Sequence, residues 1–267
     1  MDIFSSIMLG IVQGLTEFLP ISSSGHLIIA RDLLGLELQN SLAFDAVLQL
    51  ATTLAVLVYF WKDLWGIFFT FCRWVSGKSV EKKEKVMLLA VIFGTIPAVI
   101  LGLLLESAME TIFRNTNLVV LTLVLGALVM WLAEKFAKQI KEKREISVKK
   151  GFWIGCFQSL ALIPGMSRSG MTISGGLFLG LSREMATRFA FIMAFPILFG
   201  SGMKKLLDLG MNGLSGSAGL NLFLGSLASF AVGLLAISFL IKFLKKNTLQ
   251  VFVIYRLVLA ILILILL

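Results

Sequence analysis

Three residues of this chain combine reactive chemistry with an apolar setting: Glu17, His26 and Arg168. A carboxylate and an imidazole can accept or carry protons, and a forked guanidinium recognises the oxygens of phosphate. Hydroxyls surround them, with Ser22, Ser23 and Ser24 before His26 and Ser167 and Ser169 flanking Arg168. Such a set suits oxyanion binding with proton transfer beside it. The same inventory removes other chemistries. With a single histidine, a two-histidine phosphatase mechanism is impossible, and so is a zinc site needing several His or Cys. No Walker lysine loop is present, so nothing supports ATP-driven work. Cys72 and Cys156 fall in separate environments, and no disulfide is expected.

Spacing says how these groups are presented. Gln13 and Glu17 are four apart and share one helix face. Pro20 disfavours helix at Leu19 and lacks an N–H, so the helix should end there. Ser22, Ser23 and Ser24 then form a turn, Gly25 supplies positive φ, and His26 opens a returning helix whose first N–H groups make an anion site. A second segment, Pro164-Gly-Met-Ser167-Arg168-Ser169-Gly170, repeats the arrangement and adds the guanidinium. An unpaired arginine at membrane depth costs ~2.5–3.5 kcal/mol on insertion scales, so Arg168 needs Glu17 or an anionic ligand. Asp45 and Gln49 are a second polar pair four apart. They can bond the serine turn from behind or cap the outer interface near Asn40 and Ser41. Gln13 and Gln158 are expected to bond each other across the two segments, and Arg256 to bind a carbonyl or a lipid headgroup. Plainer roles exist for all of these: Glu17 and Arg168 as an ion pair, the serines as partners of buried backbone, His26 as a helix cap.

The elements that carry these residues are duplicated. At an offset of 145, Gly10, Gln13, Leu15, Ser22, Ser24 and Gly25 fall on Gly155, Gln158, Leu160, Ser167, Ser169 and Gly170. Hydrophobic residues make up 58% of the 267 and charged ones 15%, the balance of an integral membrane protein. Six apolar runs near the ~20 residues that cross a bilayer fall at 42–61, 86–105, 118–137, 188–203, 220–241 and 249–267. No positively charged leader opens the chain, and no cleavable signal peptide is expected. The net charge of +9 sits in short loops, which speaks for membrane orientation and against nucleic acid. Lys and Arg number six over 62–85, seven over 135–150 and three over 242–246. Arg183 and Arg188 bring that side to eighteen, against Arg31, Arg114, Lys204 and Lys205 on the other. The rich side is expected to be cytoplasmic. Residues 3–36 and 151–181 then become re-entrant hairpins entering from opposite faces, with both termini outside. The expected fold is all-α, a single membrane domain over 1–267. Repeat one covers about 1–140 and repeat two about 146–267, inverted in topology, with the hairpin tips meeting near the midplane.

Gln13-Gly-Leu-Thr-Glu17-Phe-Leu-Pro20-Ile-Ser-Ser-Ser-Gly-His26 and Pro164-Gly-Met-Ser-Arg-Ser-Gly170 resemble the two signature motifs of the bacterial undecaprenyl-diphosphate phosphatases of the bacitracin-resistance type. The resemblance runs over essentially the whole chain, including Phe44-Asp-Ala-Val-Leu-Gln49, Gly155-Cys-Phe-Gln-Ser-Leu-Ala161 and Ile254-Tyr-Arg256. The family is often written with Glu at the position of Gln13, which leaves the carboxylate role to Glu17. The resemblance implies removal of the terminal phosphate from a C55 isoprenyl diphosphate in the bacterial plasma membrane. It implies a site reached from the outer side and assisted by Mg²⁺ or Ca²⁺. On that reading Arg168 binds the β-phosphate with Ser167, Ser169, Thr172 and backbone donors near Gly25 and Gly170, while Ser22 and Ser24 hold the phosphate from the first turn. Ser23 is the candidate nucleophile with His26 as its general base; the alternative has His26 or Glu17 activating water. Glu17 with Gln13 holds the cation or orients His26. Inverted repeats are also transporter architecture, so lipid flipping is a second reading. Glycine-rich spans admit a homodimer without requiring one.

Overall fold

Where every position of a run is apolar, the backbone has no water to bond and must satisfy itself, which in lipid means a helix. The computed structural model describes residues 2–36, 41–105, 116–137, 145–211 and 216–266, and it is helical with no strand among them. Asp2 caps α1 (Ile3–Phe18) by accepting the Ser5 N–H at 2.8 Å, and the helix stops just short of Pro20. The chain returns as α2 (Ser23–Leu33), then continues through α3 (Ser41–Tyr59), α4 (Trp61–Val75), α5 (Lys82–Leu104) and α6 (Thr116–Ala137). The second half opens with α7 (Val148–Ser159) and a 3₁₀ turn (Leu160–Leu162). It then runs through α8 (Arg168–Phe178), α9 (Arg183–Met211), α10 (Gly216–Lys246) and α11 (Gln250–Leu266).

Four helices, α5, α6, α9 and α10, are long and apolar enough to cross a membrane, and the bent pair α3 and α4 makes a fifth candidate. The sixth expected span, α11, is apolar but shorter. The solvated loop expected after residue 61 is corrected by α4: the chain turns through 84° between α3 and α4 and stays helical to Val75. Trp61, Trp65, Phe68 and Phe69 recur at helical spacing and are exposed, with Trp65 stacked on Trp61 at 4.9 Å and on Phe68 at 5.3 Å. The lysines and arginine around them disguised this amphipathic face. Arg114 and the basic residues Lys138, Lys141, Lys143 and Arg144 lie outside the described residues.

The halves lock together through backbone contacts that only glycine permits. α1 lies against α10 so closely that a Cβ on Gly10 would sit 2.1 Å from the Gly225 carbonyl oxygen. The related pair is α7 against α5, where a Cβ on Gly155 would sit 2.0 Å from the Gly94 carbonyl oxygen. Each hairpin thus packs its first arm on a helix of the other half. α3 packs on α9 and α6 on α11, pairing related helices with each other. On the lysine-rich side, buried Glu134 accepts from Arg183 Nε at 2.8 Å and from the Leu249 N–H at 2.8 Å, fixing the starts of α9 and α11 to the end of α6.

Candidate active site

Both hairpin turns carry a non-glycine residue in positive φ, Ser22 at 75° and Ser167 at 69°. They are equivalent under the 145-residue offset. The positive φ expected at Gly25 belongs to Ser22 instead, because α2 begins at Ser23 and takes Gly25 into its first turn. Gly170 likewise lies inside α8, where its N–H donates to Ser167 Oγ at 3.2 Å and caps the helix. α2 has no such side-chain cap; Ser22 Oγ instead bonds Ser24 Oγ at 3.0 Å. The positive end of α2 is left to whatever enters the turn.

The turns touch. The Gly165 N–H donates to Ser24 Oγ at 3.1 Å, and Arg168 Nη1 donates to Glu17 Oε1 at 3.1 Å. Glu17 is the hub, its side chain only 4% exposed. Its Oε2 accepts from Gln13 Nε2 at 2.8 Å and Ser23 Oγ at 3.0 Å, and its Oε1 also accepts from Gln49 Nε2 at 3.3 Å. Beside it lies a cavity of ≈ 170 Å³ lined by Glu17, Ser22, Ser23, Ser24, Gln49, Gly165, Ser167 and Arg168. At ~30 Å³ per water, it has room for about five waters or one small oxyanion group.

Several expected placements are corrected. His26 does not meet Ser23. Its Nδ1 lies 2.8 Å from the Ser22 carbonyl oxygen and its Nε2 lies 2.7 Å from the Tyr255 hydroxyl. A carbonyl only accepts, so the proton is on Nδ1 and the Nε2 lone pair takes the tyrosine hydroxyl. Neither nitrogen is left for a serine proton. Asp45 does not reach the serine turn; it pairs with buried Arg31, while its helix neighbour Gln49 points at Glu17. Ser169 and Thr172 stand behind Arg168 rather than in the cavity. Ser169 Oγ bonds Ser167 Oγ at 3.3 Å, and Thr172 Oγ1 donates to the Arg168 carbonyl at 2.7 Å. Both border a narrow crevice of ≈ 10 Å³ against Val56, Ala190 and Phe191. The Gln13–Gln158 bond is absent: Gln13 serves Glu17, and Gln158 is buried with neither amide atom partnered among the described residues.

Two residues that sequence reasoning left outside the site brace it from α11. Tyr255 holds His26, and Arg256 Nη2 donates to the Gly165 carbonyl at 2.7 Å. Their adjacency was visible in the sequence; that they face both hairpins was not.

The helices and the polar cavity, with one carboxylate, one guanidinium and clustered hydroxyls, define the class of a multi-pass helical membrane protein with a polar site between two helical hairpins. The model of the family described as "Bacitracin resistance protein BacA" matches residues 6–262. An "Undecaprenyl-diphosphatase" of Thermobifida fusca is 42% identical over 265 residues, covering 99% of this chain and 90% of that protein. One of Chlorobium phaeovibrioides is 44% identical over 277 residues, covering 100% and 98%. The "Undecaprenyl-diphosphatase 1" of Corynebacterium jeikeium is 44% identical over 263 residues, covering 98% and 93%. The chain belongs to the bacitracin resistance protein BacA family.

Proposed function

We propose that this protein hydrolyses undecaprenyl diphosphate to undecaprenyl phosphate and inorganic phosphate, which recycles the lipid carrier of cell-wall synthesis and confers bacitracin resistance. The observation that carries the reading is the contact of Ser23, Glu17 and Arg168 on one wall of a headgroup-sized cavity. The cavity is far too small for a C55 chain, so the prenyl tail lies between helices while the diphosphate enters.

On this reading an incoming β-phosphate takes Arg168 from Glu17 and bonds the uncapped start of α2. Glu17 then accepts the Ser23 proton as Oγ attacks phosphorus, the bridging P–O bond breaks, and the lipid leaves as its monophosphate, taking that proton from Glu17. Water, deprotonated by a freed Glu17, cleaves the phosphoserine and releases phosphate. His26 orients the turn through the Ser22 carbonyl rather than taking the proton. If water attacks directly, Ser23 only binds; a Ser23→Ala protein that retains turnover eliminates the covalent route.

A divalent cation fits the donor chemistry. Glu17, the amide oxygen of Gln13 and Ser23 Oγ are hard oxygen ligands that would share Mg²⁺ or Ca²⁺ with substrate phosphates. When bound, it supplies neutralisation of diphosphate charge. Activity that survives a strong chelator and stringent washing counts against it.

The same reading places α1–α2 and α7–α8 as opposed re-entrant hairpins, with the lysine-rich side cytoplasmic in the bacterial plasma membrane and the cavity reached from outside. The deciding experiment is phosphate release from a prenyl diphosphate by detergent-purified protein. Arg168→Ala is expected to lose nearly all of it while still inserting into the membrane. Lipid movement in vesicles without any hydrolysis in detergent overturns the enzyme in favour of a flippase.

A further inference from the structure

The charge that this mechanism leaves over is Arg256. It is 0% exposed, and among the described residues no carboxylate lies within ion-pair distance of it. Its guanidinium donates only to carbonyls: to Leu123 from Nε at 3.2 Å, to Thr122 from Nη2 at 3.3 Å, and to Gly165 from Nη2 at 2.7 Å. Nη1 has no partner. Gly126 makes the room, since a Cβ there would sit 2.1 Å from Nη2. Intramembrane cations pair with carboxylates or with backbone carbonyls. Here carbonyl dipoles solvate the charge without cancelling it.

Gly165 connects this charge to the cavity. Its carbonyl takes Arg256, its N–H donates to Ser24 of the other turn, and the residue itself lines the cavity. Its φ of +93° and a would-be Cβ only 1.9 Å from Thr122 Oγ1 make glycine obligatory. The guanidinium therefore sits one peptide behind the cavity wall, in surroundings poor in water, where its field is weakly screened. A diphosphate brings more negative charge than Arg168 alone balances, and Arg168 is already held by Glu17.

We propose that Arg256 is a positioning residue for the anionic headgroup: without touching it, the buried guanidinium fixes the Gly165 turn and supplies counter-charge that draws a diphosphate into the cavity. The inference rests on the reading of that cavity as the headgroup site. It does not rest on hydrolysis.

The test is calorimetric binding of inorganic pyrophosphate to the detergent-purified full chain, with thermal midpoints measured alongside. Arg256→Gln is expected to weaken binding at least tenfold. Arg256→Met, which fills the same buried space with apolar atoms, gives the same result and serves where the amide does not fold. Arg256→Lys keeps the charge and stays within about threefold of the parent. Val258→Ala, on the exposed face of α11, leaves pyrophosphate affinity unchanged. A folded Arg256→Met protein that binds like the parent overturns the proposal, as does Arg256→Lys losing as much as Arg256→Met. Phosphate release from prenyl diphosphate, assayed separately, reports on the enzyme reading whatever the binding shows.

Discussion

Ser22 shows how much local strain the site carries. A non-glycine residue at φ 75° costs ~1–3 kcal/mol and persists where its surroundings over-determine it. Ser22→Gly is therefore expected to raise the thermal midpoint and lower turnover, because the relaxed turn no longer aims Ser23. Ser22→Val, branched at Cβ, is expected to lose folded protein; comparing the three midpoints in detergent checks both. His26 yields a second prediction. If it acts through the Ser22 carbonyl and depends on Tyr255 for its ring position, His26→Gln and Tyr255→Phe should each reduce turnover about tenfold, and the double variant should lose little more. Full additivity removes that coupling. Glu17 and Arg168 were legible as a pair because a charge at depth demands an opposite one. Gln49 as a partner of Glu17 was not, since side-chain rotation, which spacing cannot show, separates it from Asp45.

At the scale of elements, the 145-residue offset was plain in the sequence, but the partners of each arm were not. No pattern in residues 3–18 announces that Gly10 meets Gly225 of the other half, because close approach of two backbones leaves only missing side chains as its trace. Gly10→Ala and Gly155→Ala put a methyl onto a backbone oxygen that cannot swing away. Overpacking of this kind costs ~1–3 kcal/mol or more, so both variants should give similar losses of folded, detergent-stable protein. Gly66, with nothing within 4 Å of its would-be Cβ, is the control. Gly66→Ala in the middle of α4 should gain up to ~1 kcal/mol from helix propensity. Equal behaviour of all three in a thermal assay contradicts the packing. α4 itself was missed because charge counting searches for loops, while its aromatic spacing is a helix signal.

At the scale of the whole molecule the order of helices in the first half recurs in the second, except that α4, which follows α3, has no counterpart after α9 among the described residues. Charge asymmetry predicts its orientation, which is directly measurable. In a protein with Cys72 and Cys156 changed to serine, a single Lys78→Cys should resist an impermeant maleimide on intact cells and react once they are permeabilised. Labelling from outside reverses the topology. Equivalence of the two turns has a further meaning. The offset that carries Ser22 onto Ser167, both in positive φ, carries Ser23 onto Arg168, so the hydroxyl and the guanidinium occupy corresponding positions of the two turns. Had both turns kept serine there, the cavity would lack its guanidinium, and had both carried arginine it would lack Ser23; the difference between the copies sets both beside Glu17.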